Sequence, residues 1–126
     1  MSRRRAPALA AAVTALACGA ADTPVLQIAR GADVYARECR HCHDVAGGIG
    51  VVLSDRVIGA YETAQRLFAY LRVAMPYGAP GSLEERVYWD LVAYLASSGG
   101  ARPLPVVIDS TTAARVLLTE EPPAGR

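Results

Sequence analysis

No lysine occurs anywhere in the 126 residues, so every fixed cationic side chain is an arginine. Thirteen arginines against 12 acids leave a formal net charge of +1, too little for the basic field by which nucleic-acid binders are recognised. Histidine is as scarce, with only His41 and His43, and cysteine stops at three. Apart from the initiator there is one methionine, Met75. The apolar stretch Ala6 to Ala17 is too short to span a bilayer stably, and no internal repeat is present. At this length the chain holds one small domain and not two.

Against this sparse background, Cys39-Arg40-His41-Cys42-His43 is a Cys-x-x-Cys-His pentapeptide, the spacing that attaches a c-type haem. Each thiol can form a thioether to one haem vinyl group, while the histidine ligates the iron. Two other readings compete. A thioredoxin-like redox pair or disulfide is expected where the motif opens a helix in a βαβ unit, whereas here it closes a helical segment and His follows at once. A structural zinc site needs four well-spaced ligands, and only His41, inside the same pentapeptide, and Cys18 remain to complete one. Covalent haem c, held by Cys39 and Cys42 with His43 on the iron, is the expectation that follows.

Residues 1–17 pair a basic start, Arg3-Arg4-Arg5, with a short apolar run, the pattern of an export signal. Two endings are open. Ala15-Leu16-Ala17-Cys18 resembles a bacterial lipoprotein box, which would lipidate Cys18 and anchor the protein to a membrane; ordinary cleavage after Ala21 would discard that cysteine. Lipidation has the advantage of accounting for an odd thiol in an exported protein. Removal of residues 1–17 leaves 10 arginines against 12 acids, a net −2 before the haem propionates are counted. A periplasmic location, soluble or lipid-anchored, is expected.

After a linker over 18–25, the run Leu26 to His41 has helical character, with Ile28, Ala32, Tyr35, Ala36 and Cys39 recurring at three- and four-residue steps. Asp44 to Gly50 is a loop by composition, and Val51 to Ala60 has no clear period. A second helix is expected over Glu62 to Ala74, with Ala64, Leu67, Phe68 and Leu71 as its stripe and Pro76 as its stop. A third starts at the capping box Ser82-Leu83-Glu84-Glu85 and ends at Gly99. The domain would then occupy 26–100, and 101–126 would be an extension that wraps the body and ends in a disordered tail.

The sixth iron ligand separates an electron carrier from a centre that binds small molecules. In isolation a methionine at a helix end is core filler more often than a ligand. With a haem attached at Cys39 and Cys42, and no spare histidine outside the attachment motif, Met75 becomes the leading candidate. His41 is expected to be exposed, with its ring away from the iron.

These residues resemble the class I c-type cytochromes over approximately Gly31 to Gly99. The carriers of the resemblance are the pentapeptide, Met75-Pro76, the Gly31/Tyr35 pair and Tyr94-Leu95. The resemblance implies an all-α fold of three main helices around one covalently bound haem, with Gly31 and Tyr35 meeting the last helix beside Tyr94. It also implies a single-electron carrier, not an enzyme, serving exported redox partners or respiratory-chain components. The region after Met75 is similar to small monohaem cytochromes that accompany bacterial periplasmic dehydrogenases. An alternative is a haem subunit or sensor with an open or labile sixth site. The family commonly has a Pro whose carbonyl accepts from the haem histidine; here Val51 stands in that place. Arg56, Tyr61 and Arg72 are candidate propionate partners. The missing lysines argue against a lysine-ringed docking face, and favour partners chosen by arginine contacts or by apolar patches around Tyr77 and Val51.

Overall fold

A computed structural model of the chain describes residues 19–44 and 47–119. The export segment, Cys18 and the final seven residues lie outside the described residues. Helix α1 runs Pro24–Glu38 and begins two residues earlier than periodicity suggests. Thr23 caps it, its hydroxyl accepting the Leu26 N–H at 3.2 Å, and Pro24 fits the first turn because its missing N–H would have had no partner there. The buried face is Gln27, Gly31, Val34 and Tyr35, rotated from the expected stripe, with Ala36 left exposed. Close approach at Gly31 sets that rotation.

At Cys39 the backbone leaves the helix, and Arg40–His43 forms a separate single turn, α2. The pentapeptide is therefore held on a turn of its own, tied by the Cys42 and His43 N–H groups to the Cys39 carbonyl, both at 3.1 Å. The Tyr35 hydroxyl donates to Asp44, just past α2, and fastens that turn to α1.

Within the segment read as irregular lies α3, Asp55–Gly59, capped by Ser54 and burying Ile58. Five residues are too few to display a period. Helix α4, Ala64–Ala74, starts after Glu62, whose positive φ of 66° is incompatible with a helix. Thr63 supplies the cap, and Ala64, Leu67 and Leu71 form the buried stripe.

Helix α5, Glu85–Ala96, corrects the capping-box expectation: Glu84 is the cap residue, and no side chain bonds the free N–H groups. Ser82 is held instead in a turn, its N–H donating to Ala79. At the far end the Ser98 N–H bonds to Leu95 and the Gly99 N–H to Tyr94, a Schellman closure with Ser98 in the left-handed position at φ 54°. Eight of the helix's 12 residues are buried, so it is a central element and not a one-sided one. It crosses α1 at Gly31, where a Cβ would run into the Asp90 carbonyl oxygen and lie 2.7 Å from Tyr94 Cβ. The Tyr35 and Tyr94 rings meet beside the crossing, with centroids 5.2 Å apart. Buried Asp90 is satisfied by a bidentate pairing with Arg30 of α1, which also grips Asp22.

The packed body does not stop at residue 100. Ile108, Ala113, Val116 and Leu118 enter the same core, around a single 3-10 turn at Ala113–Arg115. Thr63 and Leu117 form an isolated antiparallel bridge; no strand exists among the described residues. The fold is all-α, with three main α-helices and two short ones among the described residues.

Candidate functional site

The attachment turn, the segment after it, and the inner faces of α3, α4 and α5 enclose one cavity of about 710 Å³. Cys39, Cys42, His43 and Met75, which the sequence singles out from positions up to 36 residues apart, all line it. Leu67, Leu71, Leu91, Leu95 and Ile58 make its walls apolar. That volume falls within the range of small-molecule and cofactor sites.

His43 is buried at 8% exposure, and its Nδ1 lies 2.6 Å from the Val51 carbonyl oxygen. With Nδ1 donating there, Nε2 is the nitrogen left for a metal, and the bond both orients the ring and raises its basicity. Val51 thus fills the acceptor role that the resemblance gives to proline. Gly50 makes this possible: a Cβ at that position would lie 2.8 Å from both Cε1 and Nδ1 of the ring. Burial pushes the Cys39 thiol up to about 11, with Glu38, Cys42 and Asp44 adding in that order. Cys39 and Cys42 are not joined in a disulfide.

Met75 sits immediately after α4 in extended backbone, its N–H bonded to Leu71 at 2.9 Å. Its carbonyl accepts from the hydroxyl of fully buried Tyr88 at 2.7 Å. His41 is exposed at the cavity's edge. Of the candidate propionate partners, Tyr61 lines the cavity, whereas Arg56 and Arg72 do not. Arg72 lies over the Phe68 ring and faces Glu85 at 3.9 Å, outside the cavity. Tyr70 joins Tyr61 on the lining, with ring centroids 5.1 Å apart, and burial together with Tyr70 pushes the Tyr61 phenol up. Sequence reasoning missed Tyr70 and the role of Tyr88. For Tyr70 the available signal was its place one turn beyond Leu67; for Tyr88 there was none, because its partner lies on another element.

The donor set fits haem c: two thiols, an oriented imidazole and a thioether share one apolar cavity. Among the described residues no group of three or more His, Cys, Asp or Glu could hold a bare metal ion, and Cys18, which the zinc reading needs, lies outside them. Fold and site together define a c-type cytochrome domain, an electron-transfer module carrying covalent, iron-containing haem c. A family model, cytochrome c oxidase cbb3-type subunit III, matches residues 26–95, and the chain belongs to that family. No curated protein and no solved structure matches it. Among the described residues no helix is long and apolar enough to cross a membrane.

Proposed function

We propose that the protein is a single-electron carrier in which Cys39 and Cys42 hold the haem through thioethers, and His43 Nε2 and Met75 Sδ ligate its iron. When bound, the haem supplies a centre that changes oxidation state by one electron without atom transfer. The chain does the rest. The α2 turn presents both thiols and the imidazole together; Val51 holds the imidazole by its Nδ1 proton; the leucines of α4 and α5 exclude water. A soft thioether opposite an imidazole favours the ferrous state over a second imidazole, which suits a carrier of relatively high potential. At the cavity mouth Ile49, Val51 and Tyr77 are 77%, 63% and 79% exposed, leaving an apolar rim where a partner can come close to the haem edge.

The partners we propose are exported redox proteins, a dehydrogenase or a respiratory-chain component, met in the periplasm by a soluble protein or one anchored through a lipid on Cys18. The observation that carries the reading is the convergence of all four ligands on one cavity. The test is a visible spectrum of protein matured with haem-attachment machinery, in both oxidation states and with carbon monoxide added to the reduced sample. A low-spin spectrum with a methionine-to-ferric band and no carbon monoxide response is expected. Met75→Ala should keep its haem, lose that band, drop in potential and bind carbon monoxide. A high-spin wild type that binds carbon monoxide promptly would replace the carrier with a sensor or catalytic haem subunit.

A second reading, a cytochrome fixed within a larger complex, is favoured by the family's name, which denotes an oxidase subunit. Purification of the tagged protein from its native membrane separates the two: a stoichiometric large enzyme supports the subunit, a monomer the shuttle.

A further inference from the structure

The carbonyl of Met75 lies beyond the last turn of α4, in backbone at φ −128° and ψ 153°. Its main donor is the Tyr88 hydroxyl from α5, at 2.7 Å, with the Gly81 N–H at a long 3.4 Å. Tyr88 is 0% exposed and lines the haem cavity. We propose that Tyr88 is a positioning residue that locks the main chain of Met75, so that detaching the Met75 side chain from the iron requires a buried hydrogen bond to break. The inference rests on Met75 being the iron ligand.

A methionine side chain has three rotatable bonds and little intrinsic preference, so as a ligand it is only as firmly placed as the main chain that carries it. Here that main chain is gripped from both sides, by Leu71 through the N–H and by Tyr88 through the carbonyl. The tyrosine is itself held rigidly. Its ring meets Phe68 of α4 edge-on, at 6.3 Å and 85°, and Phe68 stacks on Trp89 of α5 at 3.6 Å and 5°. The clamp therefore ties the end of α4 to the centre of α5 at the point where the ligand leaves the helix. Because the hydroxyl has one proton and donates it to the carbonyl, Tyr88 acts on where Met75 sits and not by donating to the thioether sulfur.

The test compares three variants of the matured haem protein by carbon monoxide titration of the ferrous form and by denaturant unfolding. Tyr88→Phe keeps the ring and removes the donor; its haem should stay attached, while its apparent carbon monoxide affinity rises about tenfold, the factor that one buried hydrogen bond supplies. Ser97→Ala deletes a comparable buried pair away from the cavity, where the hydroxyl donates to Tyr94 and accepts from Gly100. That variant should lose stability with carbon monoxide affinity unchanged. Met75→Ala is the third. If it gains carbon monoxide affinity while Tyr88→Phe stays at the wild-type value, the clamp is wrong and the ligand assignment stands. If Met75→Ala changes nothing, the ligand assignment fails and the clamp with it. Equal gains in Tyr88→Phe and Ser97→Ala would mean general loosening and would also overturn the proposal.

Discussion

His43 depends on a residue with no side chain at all. The imidazole reaches the Val51 carbonyl across space that a Cβ on Gly50 would occupy, 2.8 Å from two ring atoms. Gly50→Ala should turn the ring and weaken the 2.6 Å bond, reducing the basicity of the ligand nitrogen. Haem should stay attached through Cys39 and Cys42, while the reduction potential rises by on the order of 30–60 mV, roughly a three- to tenfold change in the one-electron equilibrium. Redox titration checks it; an unchanged potential would mean that the ring accommodates the methyl group without losing its acceptor. At this scale the sequence is most readable where chemistry is contiguous. Cys39, Cys42 and His43 announce themselves by spacing, and Met75 by being the sole methionine beyond the initiator. Gly50 and Tyr88 do not, because each acts through a contact with another element that no local pattern encodes, and Tyr70 shows only as a position one turn beyond Leu67.

The α1/α5 crossing is the element on which the site is built, since α1 leads directly into the attachment turn. Gly31 allows the two backbones to meet, and the obstacle to a larger residue is main-chain carbonyl, which cannot swing aside as a side-chain tip can. Gly31→Ala should destabilise the haem protein by about 3 kcal/mol, at the upper end of ordinary overpacking. Denaturant unfolding measures it, and a loss below about 1 kcal/mol would show that the helices separate cheaply. The presence of α1, α4 and α5 is legible from periodicity, because each runs for more than ten residues and so repeats its apolar positions over several turns. Their boundaries are less so. The Ser82/Glu85 pattern looks like a capping box, yet Glu85 lies at the helix's first position, facing the Trp89 indole N–H at 3.4 Å and Arg72 at 3.9 Å, so it cannot reach back. Helix α3 escapes detection because five residues carry no repeat.

For the molecule as a whole, residues 101–119 act as a strap across the helices. Its prolines suggest a surface wrap, but alternate residues turn inward: Val116 and Leu118 are buried while Leu117 is exposed, as extended chain requires. The strap touches every main helix. Arg102 bonds back to Ser97 and Ser98 at the end of α5, and Val116 and Leu118 bond to Ala64 and Glu62 at the start of α4. On α1, buried Gln27 holds both backbone groups of Ile108, donating to its carbonyl at 2.7 Å and accepting its N–H at 2.8 Å. Gln27→Leu keeps the volume and removes both partners, leaving two main-chain groups buried without hydrogen bonds at about 1–3 kcal/mol each. The chain's escape from that cost is to release the strap, which would expose Ile108 and free the segment from 101 to 119. Limited proteolysis should therefore cut Gln27→Leu within that segment under conditions where the wild type resists, with the covalent haem still on the larger fragment. Global stability should fall by about 3 kcal/mol. If the variant resists protease like the wild type, the strap is held by apolar burial alone, and the Gln27 clasp is incidental to it.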